Sequence, residues 1–160
     1  MPRSIVTVKV QREDFDIGAE LAAMSDGDPQ VGGVASFTGL VREMVPDAAA
    51  ADGAPSSMTL EHYPGMTEKQ LAAISEEAMR RWPLSRALII HRYGKLLPGD
   101  RIVLVATASA HREAALQSCA FLIDWLKTKA PFWKLEDDGR TQNWVEAKDS
   151  DDQAAQRWQR

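Results

Sequence analysis

The chain has 160 residues, with 19 Lys+Arg against 23 Asp+Glu, a formal net charge of −4, 44% hydrophobic and 26% charged residues. That is the composition of an ordinary globular domain, and its mild acidity argues against general nucleic-acid binding, which needs a basic surface. A single cysteine, Cys119, excludes an internal disulfide framework; the longest stretch without a formal charge, Pro29–Val41, is too short to span a bilayer; and the first residues, MPRSIVTVKVQRED, lack the apolar run of a secretory leader. The expectation is one cytoplasmic domain over residues 1–160, with no membrane or nucleic-acid partner. A chain of this length buries roughly 68–70% of its unfolded surface, so it needs no staple.

Ser4–Val10 alternates and is rich in β-branched residues, which predicts a strand. Phe15–Met24 predicts a short helix closed by the turn at 25–29. Val31–Val41 predicts a second strand, in which Gly32 and Gly33 mark a bulge or a close backbone approach. Residues 45–57 are small, polar and punctuated by proline, a mobile surface loop rather than a domain boundary. Met58–Tyr63 predicts a short strand. Thr67 and Gln70 fit a capping box, opening a helix that runs to about Arg81. Leu71, Ile74, Ala78 and Trp82 share its apolar face, Glu76–Arg80 and Glu77–Arg81 are i,i+4 pairs, and Pro83 stops it.

Ala87–Tyr93 and Arg101–Ala108 predict strands joined through the turn Leu97-Pro98-Gly99-Asp100. The longest helix runs from about Arg112 to Lys129 and ends before Pro131. Phe132–Glu136 and Asn143–Ala147 predict short strands, and the polar tail at 149–160 a terminal helix. The order β-α-β-β-α-β-β-α-β-β is that of an α+β domain with a mainly antiparallel sheet.

The sequence has no glycine-rich phosphate loop, no GxSxG and no HExxH. Its histidines, His62, His91 and His111, lack metal-ligand spacing, so no metal or cofactor is expected. Glu61-His62-Tyr63 offers a base site, but His62 reads better as a satisfied strand histidine, and Cys119 better as buried filler than as a nucleophile. The informative segment is LKTKAPFWKLE, residues 126–136. At about 100° per residue, Leu116, Ala120, Ile123 and Lys127 form one row, and Lys129 points elsewhere. On an extended chain Phe132, Lys134 and Glu136 share a face. A short turn brings Lys127 and Lys134 together, and two ammonium groups beside apolar walls become general bases, proton donors or nucleophiles. The alternative is a pair of solvated lysines favoured by the helix dipole. Ser109-Ala110-His111-Arg112 opens the long helix, where free N–H groups and two basic side chains suit one phosphate. There the alternative is a serine cap beside a solvated arginine. Arg42, closing Gly39-Leu40-Val41-Arg42, is a third candidate anion contact, and Arg140 a weaker one.

The stretches VASFTGLVRE, LEHYPGMTEKQL, IIHRYGKLLPGD, TASAHREAA, FLIDWLKTKAPFWK and WVEAKDSD cover most of residues 31–151, and in that order they resemble the catalytic, large-subunit (MoaE) family of molybdopterin synthase. The resemblance implies an α/β-hammerhead fold with additional, mainly antiparallel strands. It implies a homodimer that becomes a heterotetramer with a small ubiquitin-like sulfur-carrier subunit. The implied reaction is sulfur transfer from the carrier's C-terminal thiocarboxylate to cyclic pyranopterin monophosphate (precursor Z), forming the dithiolene of molybdopterin. By motif, Lys127 and Lys134 are the catalytic lysines; Arg42, His111 and Arg112 bind substrate; and Leu40, Val41, Leu135 and Glu136 line the same pocket. Leu40 and Leu135 stand where relatives can carry a basic residue, so only packing or backbone contacts are expected of them. One arginine of the phosphate seat is open to coming from the dimer mate. The carrier tail calls for an extended groove lined by Phe132 and apolar residues of the long helix, or for strand addition at a sheet edge. The competing classes are a non-catalytic carrier-binding scaffold, against which both lysines speak, and an unrelated nucleotide- or pterin-phosphate-binding protein.

Overall fold

The computed structural model describes residues 5–43, 57–129, 132–137, 142–145 and 156–158. Side chains at 129, 133–137 and 142–145 lie outside that description. In chain order the elements are β1 (Ile5–Gln11), α1 (Ile17–Ala23), β2 (Gly33–Leu40), β3 (Ser57–His62), α2 (Met66–Arg81), β4 (Leu84–Arg92), β5 (Gly94–Leu96), β6 (Arg101–Ser109), α3 (Arg112–Lys129), β7 (Phe132–Asp137) and β8 (Gln142–Val145).

The strands form two four-stranded sheets, one ordered β1-β4-β6-β2 and the other β5-β3-β7-β8. Only the β1–β4 pair is parallel among the described pairings. The arrangement is the expected α+β, mainly antiparallel one. Alternation in β4 and β6 builds a core on both faces of the first sheet. Ala87, Ile89, Val103 and Val105 face Leu71, Ile74 and Ala78 of α2 and Ala115, Cys119, Leu122 and Leu126 of α3. Leu88, Ile90, Leu104 and Ala106 face Phe15, Met24 and the partly buried residues of α1. A third cluster, Val41, Met58, Leu60 and Leu96, joins the second sheet to the end of β2. Among the described residues, no helix is long and apolar enough to cross a membrane.

Several local expectations change. The 94–96 segment is a strand pairing β3, not part of a plain connection. Helix α2 starts at Met66 behind Gly65, whose φ of 84° is left-handed and whose N–H donates to the Glu68 carboxylate. Thr67 does not cap: its hydroxyl donates to the Tyr63 carbonyl (2.9 Å) and accepts the Tyr63 N–H (3.1 Å). The Thr67–Gln70 box is thus replaced by Gly65 and Glu68. On the wet face Glu77 takes both arginines, Arg81 at i+4 (3.0 Å) and Arg80 at i+3, so the expected Glu76–Arg80 pair does not form. The loop at 45–57 lies outside the described residues except for Ser57, and so does the 149–160 tail except for 156–158.

Candidate active site

The geometry is set by the reversal between β6 and α3. Thr107 Oγ1 donates to the Ala115 carbonyl (2.7 Å), and further along Cys119 Sγ donates to the Val105 carbonyl (3.9 Å). Helix α3 therefore runs back along β6, from the Ser109 end toward the Arg101 end. Strand β2 pairs antiparallel to β6, with Gly33 opposite Ser109 and Leu40 opposite Arg101. The starts of β2 and α3 share one end of the molecule, and their finishes share the other.

His111 and Arg112 stand at the first end, both exposed. Their turn is tightly built. Ser109 Oγ donates to the Pro83 carbonyl (2.8 Å) and accepts the His111 N–H (3.1 Å), so the serine orders the turn. Gly32 N–H donates to the Ser109 carbonyl (2.9 Å), and a Cβ at Gly32 would lie 2.2 Å from the Ala110 carbonyl oxygen. The close approach expected of the Gly32-Gly33 pair is this contact.

Arg42, Lys127 and the lysine-bearing strand β7 stand at the second end. Val41 is buried and pinned to the following turn: its N–H donates to the Asp100 carbonyl (2.9 Å), and Gly99 N–H donates to its carbonyl (2.8 Å). Leu40 and Arg42 on either side are exposed. Lys134, Leu135 and Glu136 pair through their backbones with Leu60, Thr59 and Met58, and Met58 and Leu60 pack with Val41. The side chains of those three β7 residues, and all of Arg140, lie outside the described residues. Lys127 is exposed in the isolated chain, so the half-dry walls expected around it are not provided by the described residues.

The candidate residues thus fall into two groups. Strand β2 is about 23 Å long at roughly 3.3 Å per residue, and Arg112 and Lys127 are about 22 Å apart along α3 at about 1.5 Å per residue. One phosphate cannot be held by Arg42 and by the His111-Arg112 pair of the same chain. Of the two arrangements left open by the sequence, a seat within one chain and a seat shared with a dimer mate, this spacing fits the shared one.

The row Leu116, Ala120, Ile123 and Lys127 lies beside the core face of α3. That core face is carried by Ala115, Cys119, Leu122 and Leu126. Leu116, Ala120 and Ile123 of the predicted row line one wall of an open cleft of about 560 Å³, opposite Val34 and Phe37 of β2. Leu116 is 63% exposed and Phe37 41%. Cys119 is inert filler as expected, with burial pushing its thiol up to about 11. Two features were not foreseen. Phe132 lies between His91 and His62, and Asp14 pairs with Arg101 (2.6 Å) beside the end of β2. Their partners are far apart in sequence, so no local spacing signals them.

A family model described as "MoaE protein" matches residues 10–129. The chain is 52% identical over 154 residues to the molybdopterin synthase catalytic subunit of Mesorhizobium japonicum, covering 95% of this chain and 92% of that one. It is 53% identical over 152 residues to the protein of the same name from Ralstonia nicotianae, covering 95% and 84%. A solved structure, the molybdopterin biosynthesis MoaE protein of Burkholderia ambifaria, superimposes with a TM-score of 0.80 at 47% identity, covering 96% and 97% of the two chains. On these matches the chain belongs to the MoaE family and is an enzyme of molybdopterin biosynthesis.

Proposed function

We propose that the chain transfers sulfur from the C-terminal thiocarboxylate of a small ubiquitin-like carrier to cyclic pyranopterin monophosphate, forming the dithiolene of molybdopterin. What carries this reading is the separation of the candidate residues into two half-sites at opposite ends of β2 and α3. Each half is incomplete alone, and a second copy completes both.

An edge strand supplies the means. Strand β2 ends the first sheet, and Val34, Phe37, Leu40 and Leu116 are exposed along it and the adjoining helix. A two-fold axis through the middle of β2 sets two such strands antiparallel and covers the apolar cleft on both sides. It also sets His111 and Arg112 of the partner subunit beside Arg42 and Lys127. The substrate phosphate is then held by Arg42 with those two partner groups, and the pterin side chain lies against Lys127.

In that site the thiocarboxylate sulfur attacks a pterin side-chain carbon, giving an acyl thioester as a carbon–oxygen bond at that carbon breaks and the oxygen leaves as water. Water hydrolyses the thioester, releasing the carrier as its carboxylate and leaving sulfur on the substrate. A second carrier repeats the transfer at the neighbouring carbon, where the carbon–oxygen bond to the phosphate breaks with the phosphate oxygen as leaving group, so the cyclic phosphate opens to a terminal monophosphate. Lys127 stabilises developing negative charge and moves protons. Lys134 supports it and orients the carrier tail. Leu40, Val41, Leu135 and Glu136 shape the pocket by packing and backbone contacts. The tail enters past Phe132 toward the end of α3, giving a heterotetramer of two catalytic and two carrier subunits; the relatives' name, catalytic subunit, implies a further subunit in those proteins. The whole chain acts as one cytoplasmic domain. Mixing the purified chain with thiocarboxylated carrier and precursor Z tests the reading: dithiolene formation is expected, and carrier binding without turnover would leave only a scaffold.

A further inference from the structure

We infer that His91 and His62 are positioning residues for the lysine-bearing strand β7, acting through the ring of Phe132. The inference rests on the proposed role of Lys127 and Lys134. Phe132 is the first residue of β7, just beyond the end of α3, and pairs across from His62 of β3. Its ring lies on that of His91, with centroids 3.7 Å apart and an interplanar angle of 19°. The His62 ring stands 6.2 Å away on β3, and itself packs at 4.4 Å on Tyr93. His91 belongs to the first sheet and His62 to the second. One phenylalanine is therefore gripped from both sheets at the point where the chain passes from α3 into β7.

Hydrogen bonds fix both imidazoles. His91 Nδ1 is 2.8 Å from the Arg92 carbonyl oxygen, which can only accept, so Nδ1 carries a proton. His62 Nδ1 is 3.3 Å from Thr67 Oγ1, whose hydroxyl proton goes to the Tyr63 carbonyl; Thr67 therefore accepts, and His62 also carries its proton on Nδ1. Burying two polar rings costs free energy that apolar rings would not, and holding each ring at a set angle is what the polar atoms add. The ring they hold lies two residues before Lys134, whose backbone pairs with buried Leu60 in the cluster that contains Val41. The grip therefore fixes the backbone at Lys134 relative to Arg42 and to the end of α3.

The test compares His91→Ala, His91→Phe and Phe132→Leu with the wild type and with Lys127→Ala in the reconstituted carrier and precursor Z assay. The Lys134 amide resonance is followed in parallel. Loss of the grip is expected to lower kcat roughly ten- to a hundredfold, the scale of a misplaced catalytic group, while the precursor Z KM stays within about twofold. His91→Phe, which keeps a flat ring on Phe132 but loses the Nδ1 hydrogen bond to the Arg92 carbonyl, is expected to recover only part of kcat and to leave the Lys134 amide between its wild-type and His91→Ala positions. If His91→Ala fails to fold, Phe132→Leu gives the same readings. Folded His91→Ala or Phe132→Leu with wild-type kcat and an unmoved Lys134 amide overturns the positioning role while leaving the sulfur-transfer reading intact. Normal turnover in Lys127→Ala overturns that reading instead, and the amide shift then reports on the grip by itself.

Discussion

Arg112 and Lys127 sit at opposite ends of one helix, about 22 Å apart along its axis, although both are candidates for the same reaction. If a partner subunit closes the gap, two inactive variants rescue each other. A dimer of one Lys127→Ala chain and one Arg112→Ala chain holds one site with both defects and one with neither. Randomly mixed dimers should recover about a quarter of wild-type turnover, since half are mixed and each has one intact site of two. Turnover no higher than that of either parent, with exchange shown by mass spectrometry, would place all the groups of a site in one chain.

The lysine assignment is sharpest as a matched pair. Lys127→Ala removes a charge donor from the reacting centre, a loss of about 2.7–4 kcal/mol of barrier, or roughly a hundred- to a thousandfold in kcat. Carrier binding should stay within about twofold. Lys129→Ala, two residues on and about 200° round the helix, should leave turnover unchanged. Steady-state dithiolene formation and carrier titration separate the two, and equal kcat in both variants would remove Lys127 from the chemistry.

The turn before α3 offers a steric prediction. Gly32→Ala puts a methyl 2.2 Å from the Ala110 carbonyl oxygen, a backbone atom that cannot swing aside. Either β2 or the turn carrying His111 must move. The expected cost is about 1–3 kcal/mol, as for overpacking a core, together with a raised KM for precursor Z. Gly27→Ala is the control for adding a methyl: its Cβ meets nothing, although its φ of 69° carries a backbone penalty of its own. Urea unfolding of both variants, with KM measured on the folded forms, checks it.

Elements with strong periodicity were legible: α3 begins and ends where the capping residues and Pro131 place it, and β1, β2, β4 and β6 fall within a few residues of their patterns. Strand β5 was not, because three residues, Gly94–Leu96, carry no period and become a strand only by pairing with Met58–Leu60. The candidate residues were legible as chemical types, but their placement in space was not. The distance between Arg112 and Lys127 is already implied by the one helix predicted over both; that Arg42 falls at the Lys127 end follows from the antiparallel run of β2 against β6 and the return of α3 along β6, a tertiary fact. The row from Leu116 to Lys127 was legible as one face of the helix, but not what that face meets. Helical spacing shows that residues share a face, but not which of two apolar faces meets the sheet, and here Ala115, Cys119 and Leu122 do.

The last prediction concerns pH. Arg101, opposite Leu40 at the end of β2, binds both oxygens of Asp14 (2.9 and 2.6 Å). The hydrogen bond from Arg101, aided by the Phe15 N–H, holds the Asp14 carboxyl at about 2. Because its folded-state value lies below the unfolded one, near 3.9, the pair stabilises the fold fully above about pH 4 and loses that contribution as pH falls through about 2. Both side chains are more than a third exposed, so solvent screening limits the effect to about 1 kcal/mol or less. Asp14→Asn should therefore be less stable than wild type by up to about that amount at pH 6, and the difference should shrink below pH 4 to a small remainder near pH 2, where about half of the folded-state carboxyl is still ionised. Added salt should narrow the gap at pH 6, since an exposed pair is screened. Urea unfolding at the two pH values reads it directly, and a gap at pH 2 as large as that at pH 6 would show that Asp14 acts through something other than its charge.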